Sequence, residues 1–246
     1  GALRFAEWNY GPQKRFLISP QFKFFPKKKF FYKGYLTMAY QNVNESRINR
    51  KFNELGRSNQ SENVHVWSFN GDFETKKTDK TSFAFGFEWV KNEVVSKAFS
   101  QELILNGNEV VGKSSPILIP TRYPSAGSDY TSSAFYGNFK WALNTKTTLS
   151  AGGRYTHTLL IAKWDRNNGI YPLWLLNSPI GNLTNIESKN NAFTGSLSIT
   201  FRPTKNLQLN FLASSGFRSP NIDDLGKIRE NKGMLLIPNP TLKPEY

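Results

Sequence analysis

Charged side chains near the end of the chain form the best candidate for a site that binds a polar ligand. Arg218, Asp223, Asp224, Lys227 and Arg229 lie in one short polar stretch. Their types suit charge-assisted hydrogen bonds to a ligand, and equally salt bridges within the segment itself. We therefore assign these five residues as candidate ligand contacts.

A second candidate is a group of aromatic residues in an earlier connection. Trp164, Tyr171 and Trp174 are interspersed there with Asn, Gly and Pro. Large rings of this kind could stack on a ligand or pack the loop against its neighbours, and packing is the more frequent use. Both uses stay open at this stage.

Catalytic and metal-binding constellations are not found in the sequence. It contains no cysteine, which excludes a disulfide framework, thiol catalysis and cysteine-based zinc sites. Its two histidines, His65 and His157, share strand parity with apolar residues, so we interpret them as interfacial polar groups. Hydrolases need a nucleophile beside a base, and metals need several converging donors. We expect no enzyme activity, no metal site and no cofactor.

The elements that must position these residues are strands. Eight segments alternate apolar and polar residues, the clearest being Thr81–Glu93, where Phe83, Phe85, Phe87 and Trp89 share one parity. The segments form four pairs: Arg15–Phe25 with Phe30–Gln41, Val64–Thr75 with Thr81–Glu93, Ser133–Leu143 with the strand after Thr147, and Ala192–Arg202 with Leu207–Phe217.

The lengths of strands and connections favour a membrane barrel. Each strand covers roughly ten to thirteen residues, whereas a tilted strand crosses a bilayer with about nine to eleven. Connections within a pair have hairpin length. The four remaining connections are long: Asn42–Asn63, Val94–Thr131, Ile161–Asn191, and Arg218 to the end. This rhythm predicts an all-β, antiparallel up-and-down meander of about eight long strands, part of a transmembrane β-barrel, with periplasmic turns and extracellular loops.

Strand parity also predicts which side chains face lipid. The residues expected on the convex face are Phe83, Phe85, Phe87, Phe139, Trp141, Phe193, Leu197, Ile199, Leu209 and Phe211. Those expected on the concave face are Lys140, Arg154, Thr194, Ser196, Thr200, Gln208 and Asn210. A polar second face fits a wet lumen. A soluble, lipocalin-like meander with one solvated face is the alternative.

Composition narrows the possible partners. The net charge of +14 fits basic loops that meet anionic lipopolysaccharide, or a basic vestibule for an anionic ligand. Nucleic acid is not expected, because no basic helix or known binding motif is present. No apolar run is long enough for a transmembrane helix, and no signal-peptide core is visible. Since barrel proteins are exported, we expect a mature chain or, preferably, a fragment.

Two short motifs near the end carry a family resemblance. Phe217-Arg218-Ser219-Pro220 is followed by Asp223-Asp224-Leu225-Gly226-Lys227, and later by Asn239-Pro240-Thr241-Leu242-Lys243-Pro244-Glu245. They resemble the paired FRAP and NPNL-x-PE boxes of TonB-dependent outer-membrane receptors, most closely those from Bacteroidetes. The family-motif residues are Phe217, Arg218, Ser219, Pro220, Asn239, Pro240, Leu242, Pro244 and Glu245.

This resemblance implies a barrel of about 22 strands around an N-terminal plug, to which residues 1–246 would contribute part of the barrel. It also implies plug and TonB as partners and TonB-dependent uptake of a bulky nutrient, such as a ferric siderophore. Haem is disfavoured, because the histidine that haem receptors carry between the two boxes is missing. A small closed eight-stranded barrel for adhesion or structure is the alternative function, beside the lipocalin-like binding protein.

The boxes themselves are expected to be mainly structural. In the family the first box closes one strand and the second opens the next. Gly216 and Pro220 are of types that end and redirect a strand, and Pro238, Pro240 and Pro244 favour an extended return. The intervening Lys227–Met234 is the part we expect to face a ligand.

Overall fold

The computed structural model of the chain describes residues 4–27, 30–165, 185–227, 229–231, 234–236 and 238–246. Its strands are β1 (Phe5–Tyr10), β2 (Lys14–Ile18), β3 (Gln21–Phe24), β4 (Lys33–Lys51), β5 (Gly56–Glu74), β6 (Thr81–Asn106), β7 (Glu109–Lys113), β8 (Ile117–Leu118), β9 (Ser128–Ala142), β10 (Thr147–Lys163), β11 (Asn185–Thr204), β12 (Leu207–Ser214), β13 (Arg229–Asn231) and β14 (Met234–Leu236). One short helix, α1, covers Ile222–Leu225. No helix in this part of the chain has the length and apolarity needed to cross a membrane.

The strands form one antiparallel meander. A twelve-stranded sheet follows the order β1-β4-β5-β6-β9-β10-β11-β12. β1, β2 and β3 are successive pieces of one edge that all pair with β4, while β7 and β8 pair with the far end of β6. The predicted all-β, up-and-down arrangement is therefore confirmed. Among the described residues no pairing joins β12 to β1, so the sheet is an open wall.

Proline accounts for one of the breaks in the first edge. Pro20 lies between β2 and β3 and has no N–H to donate to the ladder, which interrupts a strand predicted as continuous. Its carbonyl still accepts from Met38 N at 3.1 Å, so the edge stays in place. The partner strand β4 begins at Lys33, later than the predicted Phe30.

The four short connections all lie at one end of the wall, called here the turn end. Two of them are closed by side chains that replace backbone partners. Thr78 Oγ1 accepts from Thr81 N at 2.8 Å, and Asn144 Oδ1 accepts from Thr147 N at 2.9 Å. The opposite end, which carries the other connections, is called the loop end.

The predicted loop boundaries at the loop end were wrong. β4 and β5 continue to a tight turn at residues 52–55, so Asn42–Asn63 is mostly strand. β6 continues to Asn106, β10 ends at Lys163, and β11 begins at Asn185. Pairs such as Asn44 with Asn63 show the reason. Polar residues occupy both faces there, so the apolar alternation that identifies a strand disappears although the ladder continues.

Face assignment follows from the cross-strand pairs. Phe73 pairs with Phe85, Phe83 with Phe139, and Leu149 with both Trp141 and Ile199. Ile199 pairs in turn with Phe211. All predicted outward residues thus share one face, where Phe193 is 78% exposed and Phe211 is 63% exposed. The structure confirms the predicted register.

The polar face is the concave one. A hollow of about 710 Å³ lies on it, lined by residues that include Arg154, Thr194 and Ser196. On the outer face, an apolar band covers Trp67–Phe73 of β5, Phe83–Trp89 of β6 and Phe193–Phe201 of β11. Beyond the band, towards the loop end, the strands continue as an extension whose outer face is mostly polar, with Val95 among its apolar exceptions.

Glycines let aromatic rings lie flat on the wall. The ring of Phe87 covers Gly71 on the outer face, and a Cβ at Gly71 would lie 2.5 Å from it. Tyr136 crosses Gly86 on the inner face to reach β5, where its hydroxyl donates to Asp72 Oδ1 at 2.5 Å. Such ring-over-glycine contacts pin neighbouring strands together.

Candidate functional site

The predicted polar stretch folds back onto the inner face of the extension. α1 contributes Leu225 to a cluster of buried residues whose other members lie in β10, just after β10, and in β11: Leu160, Ala162, Trp164 and Ile186. Leu225 is fully buried. The stretch that follows β12 is therefore anchored on the lumen side of the wall.

Local capping explains why so short a helix forms here. Asn221 Oδ1 accepts from Asp224 N at 3.1 Å, and Asp224 Oδ2 accepts from Asn221 N at 3.0 Å. This reciprocal arrangement is a capping box, which satisfies two backbone donors at the helix start. Asp224 therefore has a structural task in addition to its charge.

Arg218 connects the two family boxes. Its backbone exchanges hydrogen bonds with Glu245, 3.0 Å in each direction, in an isolated β-bridge. Its guanidinium also donates to Asp224 Oδ2 at 3.1 Å and to Glu245 Oε2 at 3.4 Å. The crevice beside this ion-pair group has a volume of only about 60 Å³. The charge of Arg218 is therefore paired within the chain, and little space remains beside it for a ligand.

Ser219 attaches the first box to the wall. Its hydroxyl shares a 2.9 Å hydrogen bond with Thr158 Oγ1 and accepts from Asn190 Nδ2 at 3.2 Å. Thr158 is buried, with 2% exposure. Phe217 packs on Tyr246 with ring centroids 5.5 Å apart. These contacts agree with a mainly structural role for both boxes.

Asp223 pairs within its own stretch and joins it to one other segment. It accepts from Lys227 Nζ at 2.7 Å and from the Tyr123 hydroxyl at 3.0 Å. Tyr123 belongs to the connection between β8 and β9. Sequence reasoning did not select it, because a lone Tyr among prolines carries no recognisable spacing. Of this pair, the Asp223 side chain is 49% exposed and the Lys227 side chain 15% exposed.

The aromatic candidates have different outcomes. Trp164 is 8% exposed and packs in the cluster under α1, which is the packing alternative stated above. Tyr171 and Trp174 lie outside the described residues. Arg229 belongs to the β13–β14 hairpin, but its side chain is outside the described part. Its proposed ligand contact stays a prediction.

A second polar surface lies deeper on the concave wall. Arg154 donates to Glu88 Oε1 at 2.8 Å, one strand away from the Tyr136–Asp72 pair. Asp72, Tyr136 and Arg154 border the 710 Å³ hollow. Inward parity was the available sequence signal for Arg154 and Tyr136, but it could not show that they form pairs across strands.

The histidines lie on the outer face, as predicted. His65 Nδ1 shares a 2.8 Å hydrogen bond with the Tyr40 hydroxyl, and His157 Nδ1 one of 2.8 Å with Asn191 Oδ1. Both lie at the border between apolar band and polar extension. In the described ranges, no three His, Cys, Asp or Glu side chains converge as metal ligands.

An apolar outer face, a polar concave face and strands long enough to cross a bilayer define the wall of a transmembrane β-barrel. Residues 5–246 match the family described as TonB dependent receptor-like, beta-barrel, and the chain belongs to this family. No curated protein matches the sequence. Among solved structures, the chain is similar to a protein named "Copper transporter OprC", with a TM-score of 0.61 and 10% identity.

This similarity covers 89% of the chain and 32% of the other protein, so the chain spans about a third of that structure's length. At 10% identity the match shows the fold alone. Family membership places the barrel in an outer-membrane setting.

Proposed function

We propose that the receptor to which this wall belongs imports a scarce, bulky nutrient, such as a ferric siderophore, by TonB-dependent transport. The observation that carries the proposal is the position of the two boxes. The first box is hydrogen-bonded through Ser219 to the inner face of a sheet of the family's barrel type, and the Arg218–Glu245 bridge joins the second box to it. A plug domain, TonB, outer-membrane lipid and lipopolysaccharide are the partners that this function requires.

The orientation belongs to the same proposal. Loops of outer-membrane barrels are long on the extracellular side and short on the periplasmic side. We accordingly assign the loop end to the extracellular side and the turn end to the periplasm. Asp223 and Lys227 would then meet an incoming ligand before the deeper Arg154 surface does.

The alternatives explain the structure less well. In a lipocalin-like protein the apolar side chains would line the interior, whereas Phe193 and Phe211 are exposed on the convex face. A small closed barrel needs its first and last strands to pair, and in the described residues β12 has β11 as its sheet neighbour. Copper belongs to the name of the structural neighbour alone, and the shared fold does not transfer it to this chain.

Uptake of labelled ferric siderophores tests the proposal in cells that express the complete receptor, a receptor deletion, or the receptor without TonB. Uptake that needs both receptor and TonB supports it. Siderophore uptake unaffected by loss of the receptor would overturn the substrate class, and receptor-dependent uptake unaffected by loss of TonB would overturn the mechanism.

The loop between the boxes offers a sharper test. Alanine at Lys227, Arg229, Glu230 and Lys232 together is expected to weaken uptake several-fold while barrel assembly stays normal, because these residues lie in the sequence between the two boxes, outside both of them. Alanine at Lys76, Lys77 and Lys80, in a turn at the opposite end, is the matched charge control. Equal effects of the two sets would remove this loop from the binding surface.

A further inference from the structure

Residues 119–127, called here the inner segment, cover the concave face of the extension. Pro124 is fully buried, and a Cβ on Gly226 would lie 3.1 Å from Pro124 Cγ. The Tyr123 hydroxyl donates to Asp223 Oδ1 at 3.0 Å. The inner segment is therefore in direct contact with the polar stretch that follows β12.

The two ends of the inner segment are tied to strands. Ile119 N donates to Ala98 O at 3.2 Å, and Ala126 N donates to Lys163 O at 3.0 Å. Between these anchors, the Tyr123–Asp223 bond and the packing of Pro124 on Gly226 hold the segment against the neighbouring stretch. Such an arrangement can open in the middle without disturbing the ladder of the wall.

Next to the inner segment lies a buried acidic side chain, Glu62. The segment meets β6 at Ala98, and Ser128, which follows the segment, pairs with Val94, so the segment flanks Ser96, the register partner of Glu62. Glu62 is 4% exposed and pairs in register with Ser96 of β6 and Glu45 of β4. Neither of its carboxylate oxygens has a hydrogen-bond partner among the described residues, and the hydroxyls of Ser96 and Ser128 also have none. A buried polar group in this state is costly unless it is neutral or finds a partner.

None of the charged and titratable groups around Glu62 forms a hydrogen bond to its carboxylate in the described residues. Arg47 of β4 pairs through Nη2 with Glu45, at 3.1 Å, and its buried Nε has no hydrogen-bond partner among the described residues. From the inner segment, Tyr123 approaches and is itself bonded to Asp223. Burial raises the pKa of Glu62, Arg47 partly opposes this effect, and Glu45 adds to it. The closed arrangement thus favours the protonated carboxyl.

We propose that the inner segment is a proton-controlled latch at the mouth of the lumen, closed while Glu62 is protonated and released when Glu62 ionises. A group whose pKa is raised in one state stabilises that state at low pH, and the stabilisation is lost as the pH rises through the raised value. Acid therefore closes the latch, and rising pH opens it towards the polar wall. The inference rests on the proposed function only in treating the mouth as the entrance for the ligand.

Cysteine labelling can measure the opening, because the chain has no cysteine of its own. Ser96→Cys places a nearly isosteric thiol beside Glu62, where Ser96 is 3% exposed. The maleimide labelling rate in outer-membrane preparations of the complete receptor then reports release of the inner segment. Ser115→Cys, at an exposed position, supplies the rate of a free thiol at each pH.

The normalised rate at Ser96→Cys is expected to rise between pH 5 and pH 7.5, by at most about tenfold per pH unit for one coupled proton. Glu62→Gln in the same background should keep the rate low and independent of pH. Tyr123→Phe should raise the rate at both pH values, since it removes the bond to Asp223. The measurement does not involve uptake, so it can fail while the proposed function holds.

A rise with pH that persists in the Glu62→Gln background would overturn the latch. A rate that does not change with pH when Glu62 is present would overturn it as well. If Ca²⁺ or Na⁺ slows labelling at pH 7.5 in the Glu62 background alone, Glu62 holds a cation and the proton latch is wrong. Hydrogen exchange of residues 119–127 in the unsubstituted receptor, corrected for the intrinsic effect of pH, must show the same dependence.

Discussion

The apolar band and the extension use opposite faces of the same strands. In the band, Phe193 and Phe211 are exposed outward and the polar side chains face the lumen. In the extension, Leu160 and Trp164 are buried inward under α1, and the outer face is mostly polar. One continuous ladder thus passes through two environments. Lipid surrounds the outer apolar residues of the band, and other parts of the protein cover the inner apolar residues of the extension.

Stability and specificity can therefore be changed separately in the two regions. Side chains of the band contribute through lipid contact and cross-strand pairs. Side chains of the extension contribute through a packed cluster that holds the two boxes. Substitutions in one region should therefore leave the other largely unaffected, and the following variants test that separation.

The largest effect is expected from Trp164→Ala. Truncating a buried Trp costs about 3–5 kcal/mol through lost burial and the cavity that remains. We expect hydrogen exchange to increase in α1 and in residues 119–127, while the band stays protected. Trp141→Ala, in the band and 44% exposed, is the matched control and should leave the loop end unchanged. If both variants loosen α1 equally, the two regions are not separate.

Phe85→Arg should damage the band. Phe85 stacks on Phe73 and Phe83 on the outer face. An Arg facing lipid near the bilayer midplane costs roughly 2–4 kcal/mol. Thr200→Arg, on the concave face, should be tolerated, and the difference should appear as the fraction folded in a bilayer-insertion assay. Equal tolerance of the two variants would invert the assigned faces.

How far the sequence predicted this arrangement depends on the region. In the band, alternate residues such as Phe83 and Phe85 are apolar because lipid demands it, so eight strands, their order and their faces were predictable. In the extension, both faces are polar or covered by other segments. There the ends of β4, β5 and β6 were missed, although their pairing continues.

In the candidate site, too, only features with a signal in the sequence could be predicted. The boxes were recognisable by their letters, and their structural role agrees with the Arg218–Glu245 bridge. Tyr123 was not recognisable, because its role arises from a contact with Asp223, 100 residues away in the sequence. Glu62 was not recognisable, because its burial arises only in the folded sheet. A side chain that is buried only by tertiary contacts shows no periodic pattern in the sequence.

Gly86→Ala tests the ring-over-glycine contact that pins the inner wall of the band. A Cβ at Gly86 would lie 2.5 Å from Gly71 O and 2.7 Å from the Tyr136 hydroxyl, so the ring or the backbone must shift. Overpacking of this kind costs about 1–3 kcal/mol.

Gly153→Ala provides the control for this variant, since nothing lies within 4 Å of its Cβ position. Thermal denaturation of the barrel should show a lower Tm for Gly86→Ala alone. Equal Tm values for both variants would mean that the Tyr136 ring moves aside without cost and contributes nothing to the wall.

The smallest effect is expected at the far end of the extension, where Glu7 joins β1 to two neighbouring strands. Its carboxylate accepts from Arg57 Nε at 2.8 Å and from Arg50 Nε at 3.0 Å. The hydrogen bond from Arg57 lowers the pKa of Glu7, and the bond from Arg50 adds to it. A lowered pKa means that the stabilisation is present above the ordinary pKa of a glutamate and is lost as the pH falls through the lowered value. Because the group is partly exposed, solvent screening limits the contribution to below about 1 kcal/mol.

Glu7→Gln should increase hydrogen exchange of β1 at pH 7 and remove its pH dependence in the acid range, whereas Glu54→Gln, in an exposed pair with Lys51, should change neither. Exchange of β1 that depends on pH in the same way with Gln at position 7 would show that the edge is held by its backbone ladder alone.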